Sequence, residues 1–382
     1  MPYAEGRLYH DADSHVMETA AWLVPYADAP VRELLKPIDF GLVGNLADHA
    51  QRSRRDTDYW TSINIEANLM KLKGWEALGA FDRSERSHAL DLLGFSKQLV
   101  FSTIALSQFW GFFSQREYDV TLLYGGARAY NRAIVDFCAA DQRLLAVGFV
   151  PLDVPELAER EIDEAIQLGC AAIQVAAMPG GDKSPTHPVF NGVWARLQDA
   201  DTPFTLHIGA GPIPVPSAYA NNGRGPTEAF VGGGEALKSR DAMFAHVAAE
   251  MFLTALVLDG TLEQFPRLRG GIIELGALWV VPWLKRLDAM QQAFMNSEPA
   301  LALPLKASDY VRRQLHFTPY PTEPVGWIIE QTGEDLFMFS SDYPHVEGGR
   351  DPLKRFESAM SNLSDAAKAR FYAGNFADLM GW

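Results

Sequence analysis

Acidic and imidazole side chains that could bind a metal ion occur in three short stretches of the sequence. The stretch DADSH places Asp11, Asp13 and His15 at alternate positions, TLHIG contains His207, and FMFSSDYPH contains Asp342. Oxygen and nitrogen ligands of this kind bind a divalent ion at catalytic sites that keep a position for water. The set Asp13, His15, His207 and Asp342 therefore predicts a catalytic metal site.

Each stretch also has a simpler explanation when it is considered alone. The residues DSH could cap a helix that begins near Val16 and carries Glu18 in its first turn. His207 could be a hydrogen-bonded core histidine, and Asp342 could form a turn through its own backbone. Their joint position at the ends of predicted strands favours the metal site. Because no thiolate is among them, the set suits Zn, Mn or Fe rather than a cysteine-rich structural zinc site.

The elements that must position these residues are short β-rich runs separated by helical patterns. Alternation of strand and helix without hairpin signals favours parallel pairing, and eight such units are the number that closes a (β/α)8 TIM barrel. An open doubly wound sheet is the alternative, but no glycine-rich turn follows the first strand. The predicted strands span residues 7–13, 97–103, 143–150, 170–177, 203–209, 269–276, 313–319 and 335–341.

We predict one α/β domain, residues 1–382, with two additions to the barrel. Residues 30–92 read as a helical insertion after strand 1, and residues 209–240 form a glycine- and proline-rich lid loop after strand 5. Both follow barrel strands, so we expect them at the C-terminal face, where such barrels carry their active sites. At that face the strands end in Asp13, His207, Glu274, a position near His316, and Asp342.

Composition excludes several classes of function. The net charge of −15 and the absence of a long basic run argue against nucleic acid as a partner. The N-terminus lacks the apolar run of a signal peptide, and the apolar stretch 272–284 is too short to span a membrane. Cys138 and Cys170 lie in apolar surroundings that favour free buried thiols. These features predict a cytoplasmic protein that acts on a small molecule.

The segments DADSHVME, LHIGA, EQFPRLRGGIIELGALWVVPWLKRLD and FSSDYPHVEG resemble the amidohydrolase-2 family, typified by aminocarboxymuconate-semialdehyde decarboxylase, over nearly the whole chain. The resemblance implies a metal-dependent barrel whose ligands are Asp13, His15, His207 and Asp342. It implies hydrolysis or non-oxidative decarboxylation of a small carboxylated or cyclic substrate, with Asp342 as both ligand and base. A homo-oligomer is also implied.

One position departs from the pattern of this family. Its decarboxylases carry an acid or base histidine after strand six, and Glu274 stands there in this sequence. Proton transfer would then fall to Glu274 or to His246, and the alternative for His246 is a helix-surface histidine. Asp11 and Glu18 could orient a ligating imidazole, and Glu18 could itself be a ligand.

The surplus of carboxylates and histidines leaves two further hypotheses open. The set could hold two ions, which would suit a dinuclear Fe or Mn non-haem monooxygenase built on the same barrel. The chain could also be a barrel subunit that forms a hetero-oligomer with an active paralogue. Arg224 or Lys238 in the lid could pair with a substrate carboxylate.

Overall fold

The computed structural model describes residues 2–36, 43–110, 119–209, 211–213, 215–223, 239–299 and 302–382. Its framework is a curved sheet of parallel strands with helices between them, in agreement with the predicted α/β order. The strands of the described residues are β1 (His10–Asp11), β2 (His15–Val16), β3 (Lys97–Ser102), β4 (Leu144–Phe149), β5 (Ala172–Gln174), β6 (Phe204–His207), β7 (Gly270–Ile273) and β8 (Leu315–Phe317).

The strands lie in the order β1, β3, β4, β5, β6, β7, β8, and β2 also pairs with β3. The predicted eighth strand is an extended segment, residues 336–341, between the two edges of this sheet. On one edge the Met338 amide donates to the Phe317 carbonyl at 2.9 Å, and on the other the Ala12 amide donates to the Phe339 carbonyl at 3.0 Å. These hydrogen bonds close the ring, so the carboxyl ends of its strands surround one opening.

Helices connect the strands in the described residues; α2 to α4 lie within the predicted insertion, and α1 and α5 each extend one residue beyond it. Their bounds are α1 (Ala29–Arg32), α2 (Val43–Ser53), α3 (Thr57–Ile63), α4 (Glu66–Leu69), α5 (Arg83–Leu93), α6 (Val120–Cys138), α7 (Pro155–Leu168), α8 (Asn191–Asp199), α9 (Ser239–Phe244), α10 (Val247–Leu258), α11 (Thr261–Gln264), α12 (Val280–Phe294), α13 (Ala307–Gln314), α14 (Val325–Thr332), α15 (Pro352–Ala359), α16 (Asp365–Ala369) and α17 (Asn375–Met380).

Helix α7 shows how local sequence sets these boundaries. Pro155 occupies the first turn, where its missing amide costs nothing, and Ile162 and Ala165 are buried against the sheet. The helix ends at Gly169, whose φ of 110° is a conformation that favours glycine. Leu168, the last residue of the helix, is 40% exposed, so the buried face ends before the helix does.

The interior of the ring is a separate apolar cluster. Leu99, Phe101, Val147 and Ile273 point into it from the strands, and residues of α17 complete it. Helix α17 lies at the amino ends of the strands. Its Leu379 carbonyl accepts a hydrogen bond from Arg269, which directly precedes β7. The polar residues at the opposite, carboxyl ends therefore lie above a dry core.

Part of the predicted insertion packs on the carboxyl ends of the strands. The Gly74 amide donates to the Pro344 carbonyl at 2.9 Å, and the Tyr343 hydroxyl donates to the Leu78 carbonyl at 2.6 Å. Much of the predicted lid, including Arg224 and Lys238, lies outside the described residues. The lid therefore stays a prediction.

Within the described residues one stretch, Ser239–Leu258, is long and apolar enough to cross a membrane by length and composition. This is weak support for a span, because a core helix of a globular protein passes the same test. The structure divides the stretch into α9 and α10 at Ala245 and His246, and α10 buries Phe252 and Leu253 in the core. The sequence analysis did not identify this stretch.

A buried polar network holds the first strand to its neighbours. The Asp11 carboxylate accepts hydrogen bonds from the Ser341 amide at 2.7 Å, the Ser341 hydroxyl at 2.6 Å and the Gln98 side chain at 2.7 Å. Arg86, also buried, donates to the Gln98 oxygen at 2.9 Å. Asp11 thus joins β1, β3 and the closing segment at a point where an unpaired polar group would be costly.

We predict that Asp11→Ala lowers the free energy of unfolding by about 3 kcal/mol, because it leaves the Ser341 and Gln98 donors buried without an acceptor. Denaturant unfolding of the metal-free protein measures this change. Asp48→Ala, at an exposed position of α2, is the matched control and should shift stability by less than about 0.5 kcal/mol. Equal stability of the two variants would contradict a joining role for Asp11.

Candidate metal centre

The predicted site residues reach the same opening of the ring from different strands. His15 begins β2, His207 ends β6, Glu274 follows β7, and Asp342 follows the extended segment that closes the ring. Asp13 lies between β1 and β2. All five side chains are buried.

One group of four residues could hold a cation. It consists of Asp13, His15, His207 and Glu274, each of which offers a ligand atom within 4.8 Å of the others. The Asp13 Oδ1 atom lies 3.2 Å from His15 Nε2 and 3.3 Å from His207 Nε2, and Glu274 Oε2 lies 3.5 Å from His207 Nε2. Three of the predicted ligands thus converge, and Glu274 joins them.

A second group shares His15 and Glu274 with the first and adds Asp342 and His345. The Asp342 Oδ1 atom lies 3.5 Å from His15 Nε2 and 3.1 Å from His345 Nδ1. The His15 and His345 rings are stacked, with centroids 3.7 Å apart. The fourth predicted ligand, Asp342, therefore lies beside the first group and contacts one of its members, His15.

Hydrogen bonds to backbone carbonyls fix the tautomers of two histidines. The Nδ1 atom of His15 is 3.0 Å from the Ser102 carbonyl, and the Nδ1 atom of His207 is 2.8 Å from the Ile208 carbonyl. Because a carbonyl only accepts, each Nδ1 must carry the proton. The Nε2 lone pairs of both rings therefore face the carboxylates.

The tautomer of His345 follows from a hydroxyl group. Thr103 donates its hydroxyl proton to the Val16 carbonyl at 2.8 Å, so it accepts a hydrogen bond from His345 Nε2 at 2.9 Å. The proton of His345 is then on Nε2, and its Nδ1 lone pair faces Asp342. Hydrogen bonding of the remote nitrogen is the usual way in which proteins orient metal-binding histidines.

These atoms fit a divalent cation. Lone pairs of imidazole nitrogen that face carboxylate oxygens repel one another unless a positive charge lies between them. Several buried atoms have no hydrogen-bond partner in the part of the chain that the structure describes, namely Asp13 Oδ2, His15 Nε2, His345 Nδ1 and both carboxylate oxygens of Asp342. A divalent ion would provide a partner for several of these atoms, and the mixed nitrogen and oxygen set suits Zn, Mn or Fe.

Burial sets the protonation of the site. Burial, and then the neighbouring His345, lower the pKa of His15 to about 4. Burial likewise lowers the pKa of His345 to about 4. Burial, and then the charge of Asp13, raise the pKa of Asp342 to about 7. The two imidazoles are therefore neutral at physiological pH, while Asp342 can hold a proton there.

Two of the acidic residues of the site have positive backbone φ angles. Asp342 has a φ of 52° and Glu274 a φ of 55°, which place both residues in the left-handed region. Such a conformation costs a non-glycine residue roughly 1 kcal/mol or more and concentrates at functional sites. The Asp342 amide donates to the Asp13 carbonyl at 3.0 Å, and the Glu274 amide donates to the Thr318 hydroxyl at 2.8 Å. These bonds hold the two turns in place.

Asp11 and Glu18 lie outside both four-residue groups. The first predicted strand is interrupted between β1 and β2. A continuous strand would have placed Asp11, Asp13 and His15 on one side, and this arrangement is not found. Asp11 faces Gln98 and Ser341 instead. The Glu18 carboxylate accepts hydrogen bonds from the backbone amides of residues 103–105 at 2.9 to 3.4 Å. It therefore anchors the turn that presents Thr103 to His345.

His246 and His316 also lie outside these groups. The His246 ring stacks on Trp279 with centroids 5.2 Å apart, and its Nε2 lies 3.6 Å from the Glu250 carboxylate. A role for His246 in proton transfer stays a prediction. His316 pairs in register with Gly271, in the middle of β7, and so does not lie at the carboxyl end as expected.

His345 is the member of the site that the sequence analysis did not select. It lies within the DYPH motif, three residues after Asp342. The motif was the available signal, but nothing in the local sequence shows that the histidine folds back onto His15.

Comparison with known proteins agrees with this geometry. A sequence profile of the amidohydrolase family matches residues 111–382. The chain therefore belongs to the amidohydrolase family, as its motifs indicated. No curated protein matches the chain.

Several solved structures share the fold over almost their whole length. An amidohydrolase from Mycobacterium avium subsp. paratuberculosis K-10 has 18% identity and a TM-score of 0.73, covering 99% of this chain and 100% of its own. The 5-carboxyvanillate decarboxylase of Novosphingobium aromaticivorans, complexed with manganese and 4-hydroxy-3-methoxy-5-nitrobenzoic acid, has 20% identity and a TM-score of 0.65, covering 99% and 97%. A dihydroxybenzoic acid decarboxylase from Polaromonas sp. JS666, with bound manganese, has 18% identity and a TM-score of 0.58, covering 99% and 97%.

We predict that Mn²⁺ affinity rises with pH up to about 7 and then levels off. The raised pKa of Asp342 means that its carboxyl group must lose a proton to bind a cation below that pH, whereas His15 is already neutral. Calorimetry at pH 6 in buffers of different ionisation enthalpy should show about one proton released per ion. Asp342→Asn should abolish that release, and an unchanged release would assign the proton to another group.

Proposed function

We propose that this protein is a metal-dependent, non-oxidative decarboxylase of small aromatic or cyclic carboxylic acids, with hydrolysis at the same site as the alternative reaction. The observation that carries the proposal is the buried group of imidazole lone pairs and carboxylates at the carboxyl ends of the strands. The fold shared with two manganese-containing decarboxylases of aromatic acids supports it.

The residues that would hold the ion are Asp13, His15 and His207, with Glu274 or Asp342 completing the set. A divalent ion at this position would polarise a substrate oxygen or lower the pKa of a water molecule. The Phe101 ring, which belongs to the apolar interior of the barrel, lies 4.5 Å from the His207 ring and supports it from below.

Asp342 is the proposed proton-transfer group. In decarboxylation the bond between the ring carbon and the carboxylate breaks, carbon dioxide leaves, and the carbon takes up a proton. Because Asp342 is ionised once a cation is bound, its Oδ2 atom would first take a proton from a substrate hydroxyl group or from water and then pass it to that carbon. In hydrolysis the same oxygen would accept a proton from water. Glu274 and His246 are the further candidates for moving or relaying this proton.

We predict that Asp342→Asn lowers turnover by at least about 100-fold while leaving the unfolding profile intact, because the amide can neither transfer this proton nor bind a cation as strongly. The assay measures carbon dioxide released from a panel of hydroxybenzoic acids by Mn²⁺-loaded protein. Asp182→Asn, at an exposed position, is the control.

Full metal content and turnover in Asp342→Asn would remove Asp342 from the site. Release of no carbon dioxide by the wild-type protein, together with cleavage of an ester, amide or lactone, would select hydrolysis.

A second candidate function is a dinuclear Fe or Mn monooxygenase. The observation that favours it is the second four-residue group, in which His345 and Asp342 supply ligand atoms beyond those of the first. Metal analysis of anaerobically purified protein distinguishes the two functions. Two redox-active ions per chain and substrate-dependent dioxygen uptake would support the monooxygenase, whereas one ion and no dioxygen uptake would support the decarboxylase.

The oligomeric state and the compartment stay predictions. We propose a homo-oligomer in the cytoplasm that acts on a small molecule. A hetero-oligomer with an active paralogue is the remaining alternative, and recovery of a stable chain that gains activity only with a partner would support it.

A further inference from the structure

Lys73 belongs to the predicted insertion, in a segment that contacts the turn after Asp342. Its neighbour Gly74 donates a backbone hydrogen bond to the Pro344 carbonyl at 2.9 Å. Two residues on, the Trp75 indole donates to the Glu18 carbonyl at 3.1 Å. The segment on the C-terminal side of Lys73 is therefore bonded both to the residues that follow β2 and to the turn that follows Asp342.

The orientation of this lysine is the reverse of the usual one. Lysines normally cover apolar surface with their methylene groups and keep the ammonium in water. The Lys73 side chain is only half-buried, yet its Nζ atom is shielded from solvent and has no hydrogen-bond partner in the described parts of the chain. A shielded ammonium without partners is costly, and such groups persist mainly where a ligand uses them.

The charges around Lys73 locate its ammonium. The carboxylates that attract it are Asp342, then Glu347 and Asp11, and its own charge acts on Asp342 and His345. The ammonium is therefore within electrostatic reach of the second four-residue group, in keeping with the hydrogen bond between Gly74 and the turn that follows Asp342. Burial lowers the pKa of Lys73 to about 8, so the side chain is still mainly cationic at pH 7.

We propose that Lys73 is a substrate-binding residue that receives the carboxylate of an aromatic acid beside the metal centre. This inference rests on the proposed function and names the group that selects acids over neutral analogues. The three N–H donors of an ammonium can form charge-assisted hydrogen bonds to a carboxylate. Even with a divalent ion bound, the Asp and Glu side chains around the site outnumber its two charges, so a further cation favours an anionic substrate.

A purely structural role for Lys73 would have different consequences. If the ammonium only offset the charge of Asp342 and its neighbours, its removal would strengthen binding of a divalent cation and leave carboxylate binding unchanged. Substrate binding predicts the opposite for the carboxylate, so measurements of both ligands separate the two roles.

The test uses the full-length protein loaded with Mn²⁺ and titrated calorimetrically with benzoate, and with benzamide as the neutral analogue. In Lys73→Met the Kd for benzoate should rise at least about tenfold, and Lys73→Arg should recover part of the loss. Benzamide binding should be the same in all variants. Lys71→Met, at an exposed position two residues earlier, is the matched control and should behave as wild type.

Three outcomes bear on the inference. A benzoate Kd in Lys73→Met that equals the wild-type value would overturn it. So would the absence of saturable benzoate binding to Mn²⁺-loaded wild-type protein up to roughly 20 mM. Failure of the wild-type protein to bind Mn²⁺ at all would instead contradict the proposed function, because metal binding is measured before benzoate is added.

Discussion

The structure depends on the cost of burying carboxylates beside neutral imidazoles. His15, His207 and His345 point lone pairs at the oxygens of Asp13, Glu274 and Asp342, within distances of 3.1 to 4.0 Å. In a buried opening such an arrangement repels itself wherever the carboxyl group is ionised and the imidazole is neutral, since neither partner then supplies a proton. A cation turns this repulsion into coordination, and the remaining features of the site can be understood as preparation for it.

The protein fixes the donor atoms before any cation arrives. Carbonyl groups hold the protons of His15 and His207 on Nδ1, and Thr103 holds that of His345 on Nε2. The amides of Asp342 and Glu274 donate hydrogen bonds to Asp13 and Thr318, and these bonds maintain the left-handed turns at the two carboxylates. A closed ring of parallel strands brings donor atoms from distant parts of the chain together, because every strand ends at the same opening.

The sequence predicted much of the framework, because short apolar runs and intervening helical patterns are local features. Each predicted strand has an extended counterpart in the structure, and the strand ends drew attention to His207 and Asp342, which lie in the two four-residue groups. The expectation that Asp11 lies on the same side as Asp13 and His15 was wrong. The strand is interrupted between β1 and β2, and the Asp11 carboxylate bonds to Ser341 instead. His345 and Lys73 were missed because their positions depend on contacts between residues far apart in the chain.

The most direct test of a metal centre is anomalous diffraction from crystals of the protein purified with Mn²⁺. The account predicts a peak bound by Asp13, His15 and His207 at roughly 2.0 to 2.3 Å. A density map with no peak in the ring opening, or a peak bound by other residues, would contradict it.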